Sequence, residues 1–229
     1  MLSNILQLLY NAADLVVVGR FAKNGLYAQG AVGSTAALIN LLVNLFMGLS
    51  VGANVQAARE RGAGLHEELS RTVHTAMLLS VVGGVLLVFV GVFGAKKILT
   101  LMGSPEAIID QAALYLRIYF LGIVGFFFYN MLSGVLRGLG DSASALVFLL
   151  VAAALNVILD LVFVAGFGMG VSGVALATII AQGISAVFCF IKLMRMGEHF
   201  DLNRASLKLD KAVASRIIQI GIPSGITQA

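Results

Sequence analysis

The chain has 229 residues, 59% of them hydrophobic and only 11% charged, with a net charge of +4 and a mean hydropathy of +0.99. An ordinary soluble domain carries about 25% charged residues, so a water-soluble fold is excluded. The apolar stretches are continuous rather than alternating, which excludes a membrane β-barrel. The basic residues lie between those stretches, which argues for membrane topology and against nucleic-acid binding.

Six apolar helices are predicted, at 2–21, 31–57, 73–94, 112–136, 142–165 and 172–193. Each is near or above the roughly 20 residues needed to cross hydrocarbon. The first lacks a basic leader and a small-residue cleavage site, so it is not read as a removable signal. With the N-terminus cytoplasmic, ten basic residues fall inside: Arg59, Arg61, Arg71, Arg137, Lys192, Arg195, Arg204, Lys208, Lys211 and Arg216. Five fall outside: Arg20, Lys23, Lys96, Lys97 and Arg117. This asymmetry puts both ends of the chain on the cytoplasmic side of a cell membrane.

Residues 1–197 are expected to form one six-helix lobe, 198–216 a basic cytoplasmic linker ending in a short surface helix, and 217–229 the beginning of a seventh helix. Ser224, Ile226 and Gln228 repeat the spacing of Ser3, Ile5 and Gln7, as an internally duplicated transporter would show. The fold class expected is all-α integral membrane, one lobe of a two-lobed, twelve-helix protein.

Three of the helices carry polar residues at one depth. Asp14, Asp160 and Thr178 each lie six or seven residues from the outer helix end, roughly 9–11 Å at 1.5 Å per residue. Asn156 precedes Asp160 by four positions and so shares its helix face. A carboxylate in hydrocarbon costs roughly 2.5–3.5 kcal/mol and marks an ion or proton pathway by default. Two nearby carboxylates do not both ionise cheaply in a low-dielectric cleft, so the pair either shares a proton or holds Na⁺. In the Na⁺ case Asn156 and Thr178 supply further oxygens; the residues alone do not choose the ion. Interhelical hydrogen bonding without further function is the competing reading.

Other features are weaker. Asn11, Asn40 and Asn44 are candidate cavity-lining residues, and Gln56 is read as an interface residue. Gly48-x-x-x-Gly52 and Gly134-x-x-x-Gly138 allow close helix approach. Gly122-x-x-Gly125 allows either bending or packing. Arg137, Gly138, Gly140 and Asp141 form a tight turn in which Arg137 and Asp141 pair with each other or cap helix ends. Arg117, Tyr115 and Tyr119 are read as an interfacial snorkel with an aromatic belt. Phe126, Phe127 and Phe128 offer apolar surface. Cys189 has no disulfide partner, and His66, His74 and His199 lack metal-ligand spacing. No catalytic constellation and no phosphate-cradling loop with Lys is present, so neither an enzyme nor an ATP-driven pump is expected, and no cofactor beyond a coupling ion.

Several stretches, in order and spacing over nearly the whole chain, resemble the multidrug and toxic compound extrusion (MATE) family. They are Leu9-Tyr10-Asn11-Ala12-Ala13-Asp14 with Val18-Gly19-Arg20; Arg137-Gly138-Leu139-Gly140-Asp141; Asn156-Val-Ile-Leu-Asp160; and Gly173-Val-Ala-Leu-Ala-Thr178. The resemblance implies two six-helix lobes facing a central cavity, with export of organic, often cationic, compounds in exchange for H⁺ or Na⁺. It also implies that Asp14, Asn156, Asp160 and Thr178 form the cation site, and that a second lobe, the bilayer and a small organic substrate are the partners. A lipid-linked oligosaccharide flippase of the same broad fold, or a non-transporting membrane scaffold, is the alternative.

Overall fold

The computed structural model describes residues 2–22, 25–196 and 208–227, with the side chains of residues 2–11 outside that description. Among the described residues all regular structure is helical: α1 (Leu2–Phe21), α2 (Gly25–Gly62), α3 (His66–Leu101), α4 (Glu106–Leu121), α5 (Ile123–Gly138), α6 (Ser142–Asp160), α7 (Val171–Arg195) and α8 (Lys211–Ile226). A π-helical turn, Leu161–Gly166, continues α6. Four helical segments are long and apolar enough to cross a membrane, five if the bent pair α4–α5 counts as one span. The chain is therefore an all-α, multi-pass membrane protein.

The elements depart from the sequence reading in four places. Helices α2 and α3 run for 38 and 36 residues, well past 31–57 and 73–94. At 1.5 Å per residue each is roughly 55 Å long, against about 30 Å of hydrocarbon. Their polar ends stay helical until Gly64, whose φ of 71° lets the Leu65 N–H bond back to the Glu60 carbonyl at 3.0 Å. The span at 112–136 is instead α4 and α5, with a bend at Gly122. A β-carbon at Gly122 would overlap Ile179, so that glycine also serves the approach of α7. The helix at 142–165 changes to π geometry directly after Asp160. One continuous α8 spans the 216/217 boundary, capped by Asp210 Oδ1, which accepts from the amides of Ala212 (2.8 Å) and Val213 (3.2 Å). Residues 198–207 of the expected linker lie outside the described residues.

The chain folds into two compact units: Met1–Ile39 with Val85–Ile123 and Leu149–Ile184, and Asn40–Gly84 with Val124–Phe148 and Ser185–Ala229. In the first, Asp14, Val17 and Val18 form the buried face of α1 at i, i+3 and i+4. Small residues bring its helices close, as where Ala152 of α6 meets Ala181 of α7. In the second, Phe46 stacks on Phe127 with centroids 4.2 Å apart, and Tyr129 donates to the Ala145 carbonyl at 3.1 Å. Phe126 and Phe127 are thus buried helix-packing residues.

The second unit also shows what Gly48-x-x-x-Gly52 is for. Its mate is Gly221-x-x-x-Gly225 on α8. A β-carbon at Gly48 would overlap the Gly221 carbonyl and the Gly225 amide, and one at Gly52 the Ile217 carbonyl. Two glycine stripes thus let the α2 and α8 backbones touch, as small residues do where lipid gives no hydrophobic drive to associate.

The α5–α6 turn lies in this unit as well. Gly140, at φ 79°, ends α5 with the Gly140 N–H on the Arg137 carbonyl and the Asp141 N–H on the Leu136 carbonyl, both 2.9 Å. Arg137 and Asp141 part company. Asp141 accepts from the Ser144 amide (3.0 Å) and hydroxyl (2.8 Å) at the start of α6 and pairs with Lys192 at 3.1 Å. Arg137 turns inward and donates to the hydroxyls of Ser50 (2.7 Å) and Ser133 (3.3 Å). Ser50 in turn donates to the Asn130 carbonyl at 2.6 Å.

Two outcomes follow. Gly52→Ala should force α8 off α2 at an overpacking cost of about 1–3 kcal/mol, so hydrogen exchange of the α8 amides should accelerate roughly tenfold or more; unchanged protection would refute the contact. Asp141→Ala should remove a helix cap and destabilise the protein by about 1 kcal/mol at neutral pH. Partial burial raises the Asp141 pKa, but the Ser144 amide and hydroxyl and the Lys192 ammonium outweigh it and hold the carboxyl below its ordinary range. A group depressed on folding stabilises above its unfolded pKa and loses that contribution as pH falls through its folded pKa. The gap in melting temperature between wild type and Asp141→Ala should therefore close in strong acid.

Candidate functional site

The polar cluster lies wholly in the first unit. Asp14 reaches the interior because it lies on the buried face of α1 with Val17 and Val18. On α6 the buried positions are Ala145, Leu149, Ala152, Asn156 and Asp160, an apolar stripe whose last two members are polar. On α7, Val174, Thr178 and Ala181 share the buried stripe. Asn156 and Asp160 are 0% exposed, Asp14 2% and Thr178 6%. Gly173 sets the height of α7, since its β-carbon position is 3.0 Å from Phe163 Cβ in the π turn. The π turn also packs against α1. Such turns recur at functional sites, where the wider ring re-aims side chains.

The hydrogen bonds centre on Thr178. Its hydroxyl accepts from Asn156 Nδ2 at 3.3 Å. Its single hydrogen faces two acceptors, the Val174 carbonyl at 3.0 Å and Asp14 Oδ2 at 3.4 Å. Thr178 therefore links α1 to α6. Four buried oxygens nearby take no hydrogen bond: Asp14 Oδ1, Asn156 Oδ1 and both oxygens of Asp160. Asp14 and Asp160 are close enough to act on each other electrostatically. Ionised, neither carries a hydrogen to offer the other, which leaves these acceptors orphaned.

Such an arrangement can do one thing cheaply. Buried polar atoms without partners are rare and costly, and two adjacent carboxylates repel. A proton or Na⁺ relieves both penalties together. The donor set of two carboxylates, an amide oxygen and a hydroxyl is hard oxygen, suited to Na⁺ as well as H⁺. Among the described residues no cluster of three or more His, Cys, Asp or Glu is present to hold a multivalent metal.

Two neighbours escaped the sequence reading. Tyr119, assigned above to an interfacial belt, is buried and acts electrostatically on Asp14. Tyr115 is buried beside it, ring centroids 6.3 Å apart, while Arg117 is exposed. Gln182 lies one turn beyond Thr178 on α7, 3% exposed, with its side-chain oxygen unpartnered. Its i+4 spacing from Thr178 was the available signal. Asn40 is exposed and Asn44 half-buried, both in the second unit. The side chain of Asn11 lies outside the described residues.

The family described as MatE matches residues 1–162. The probable multidrug resistance protein YoeA of Bacillus subtilis (strain 168) is 32% identical over 99% of this chain and 50% of its own length. The probable multidrug resistance protein NorM of Thermotoga maritima is 26% identical over 97% of the chain and 48% of its own. Among solved structures, an inward-facing conformation of a multidrug resistance MATE family transporter of the MOP superfamily superposes with a TM-score of 0.89 at 26% identity, covering 97% of this chain and 50% of that one. An outward-facing conformation gives 0.88 at 26% identity over 99% and 50%. The chain spans about half the length of the curated relatives it matches. A family match over most of its residues, on a helical frame that superposes on one half of these transporters, establishes that this chain belongs to the MatE family of multidrug efflux transporters.

Proposed function

We propose that this chain supplies one lobe of a two-lobed secondary antiporter that exports organic, often cationic, compounds in exchange for H⁺ or Na⁺. The observation that carries this reading is the buried Asp14/Asp160 pair, with its orphaned oxygens, bridged to Asn156 through Thr178. The lobe sits in the cell membrane with both ends cytoplasmic, as the distribution of basic residues favours. A second lobe of similar length completes the protein.

Each side chain has a role in this scheme. Asp14 and Asp160 supply the negative charge that receives the ion, from helices α1 and α6. Asn156 offers its free side-chain oxygen, and Thr178 its hydroxyl, so the ion is held between three helices. Taking up the ion cancels the repulsion between the carboxylates and changes how α1, α6 and α7 pack, which lowers affinity for cargo. Cargo leaves outward, and the ion leaves inward once the lobes have rocked. Moving one charge through 100 mV supplies roughly 2.3 kcal/mol, enough to bias a two-state equilibrium by more than tenfold. Buried acidic charge also favours cationic cargo over the anionic pyrophosphate of a flippase substrate.

The test is efflux of a fluorescent organic cation from cells producing this chain together with its second lobe, under imposed H⁺ or Na⁺ gradients. Efflux should follow one gradient and fall about tenfold or more in Asp160→Asn, the scale set by losing a charge-coupled driving force. Normal efflux in both Asp14→Asn and Asp160→Asn would refute the mechanism. Thr178→Val keeps both carboxylates and loses one bridging hydroxyl, a change of about 1 kcal/mol. It should slow efflux several-fold without abolishing coupling. Absence of efflux from wild type would favour the flippase or scaffold.

A further inference from the structure

Glu60 lies in the last turn of α2 between Arg59 and Arg61, which in sequence resembles a solvated, charge-balanced helix end. The fold treats the three differently. Both arginines are exposed, whereas Glu60 is 2% exposed. Its neighbours Gln56 and Thr72 are 3% and 0% exposed. Glu60 Oε1 accepts from Gln56 Nε2 at 2.6 Å and from Thr72 Oγ1 at 2.9 Å. Oε2 is buried and takes no hydrogen bond.

The charged groups acting on Glu60 are Glu68 from α3 and Arg216 from α8. Arg216 is exposed, and the ion pairs among the described residues are Arg71–Glu67, Lys96–Asp110 and Lys192–Asp141, so Glu60 has no ion-pair partner among the described residues. A carboxylate buried only for packing would have both oxygens met, because an unpaired one is costly. Here two donors converge on one oxygen. They fix the plane of the group and leave the other oxygen presented to something that brings positive charge. One carboxylate and one hydroxyl, beside an amide that turns its nitrogen to Glu60, make too few oxygens and too little charge for a divalent ion, which seeks six or more oxygen ligands with several carboxylates when it is Ca²⁺. A proton or a single Na⁺ matches the one negative charge.

We propose that Glu60, with Gln56 and Thr72, is a second binding site for a small monovalent cation, either a proton or Na⁺. Its residues belong to the second unit and share none with the Asp14/Asp160 cluster. It stands whether or not the antiport reading holds. Gly48, Gly52, Gln56 and Glu60 follow one another at i+4 along α2. The face that carries the α8 contact therefore also carries this site, and occupancy is placed to bear on α8.

The test uses the protein in lipid vesicles, treated with a hydrophobic carbodiimide, which adds to protonated carboxyl groups sheltered from water. Peptide mass spectrometry then locates the modified residues. In Na⁺-free buffer Glu60 should be modified, and modification should fall about tenfold or more on adding Na⁺ if Na⁺ is the ligand, or on raising pH alone if the proton is. Glu60→Gln should remove the signal from that peptide. The proposal is overturned if Glu60 stays unmodified at every pH while Asp14 or Asp160 reacts, or if its modification ignores both pH and Na⁺. It is equally overturned if protection of Glu60 disappears in Asp14→Asn/Asp160→Asn, since Glu60 would then only report the first cluster. Loss of transport in that double variant with protection of Glu60 intact leaves this site standing and bears on the antiport mechanism alone.

Discussion

A carboxylate buried in a membrane helix bundle has no water to solvate it, so the protein or an ion must. Asp14 and Asp160 meet that constraint incompletely. Thr178 reaches one oxygen of Asp14, and Asp160 receives no donor at all. Had evolution needed only helix adhesion, an amide and a hydroxyl would have served, because such groups can satisfy one another. Keeping two acids instead leaves buried oxygens that no protein group donates to.

The bundle achieves this with small side chains and irregular backbone. Gly173 lets α7 settle on the π turn, and the π turn starts at the residue after Asp160. Ala152 and Ala181 let α6 and α7 approach. The same device in the second unit joins α2 to α8 through four glycines. Dispersion between closely spaced backbones replaces the hydrophobic drive that water would supply to a soluble protein. It also makes the contact intolerant of any added β-carbon.

Membership of the MatE family and the half-length match to its relatives agree with this construction. The chain holds Asp14, Asn156, Asp160 and Thr178 together in one unit.

Much of this was legible in the sequence because it is local. Continuous apolar runs pointed to membrane helices, though not to all of their bounds, and counting residues from the expected helix ends singled out Asp14, Asp160 and Thr178. Four-residue spacing placed Asn156 on the Asp160 face. Those inferences depend only on rise per residue and on the cost of polar groups in hydrocarbon. Which way a helix is turned, and what stands opposite, depends on every other helix. Tyr119 beside Asp14, Arg137 drawn to Ser50 rather than Asp141, the glycines of α8 against those of α2, and the burial of Glu60 between two exposed arginines are all of that kind. Sequence by itself determined that this chain is a membrane helix bundle, and it singled out Asp14, Asn156, Asp160 and Thr178, which the fold gathers in one unit. Only the tertiary structure decided which oxygens are left without partners, because partnership is set by helix rotation and close approach, which no single helix encodes.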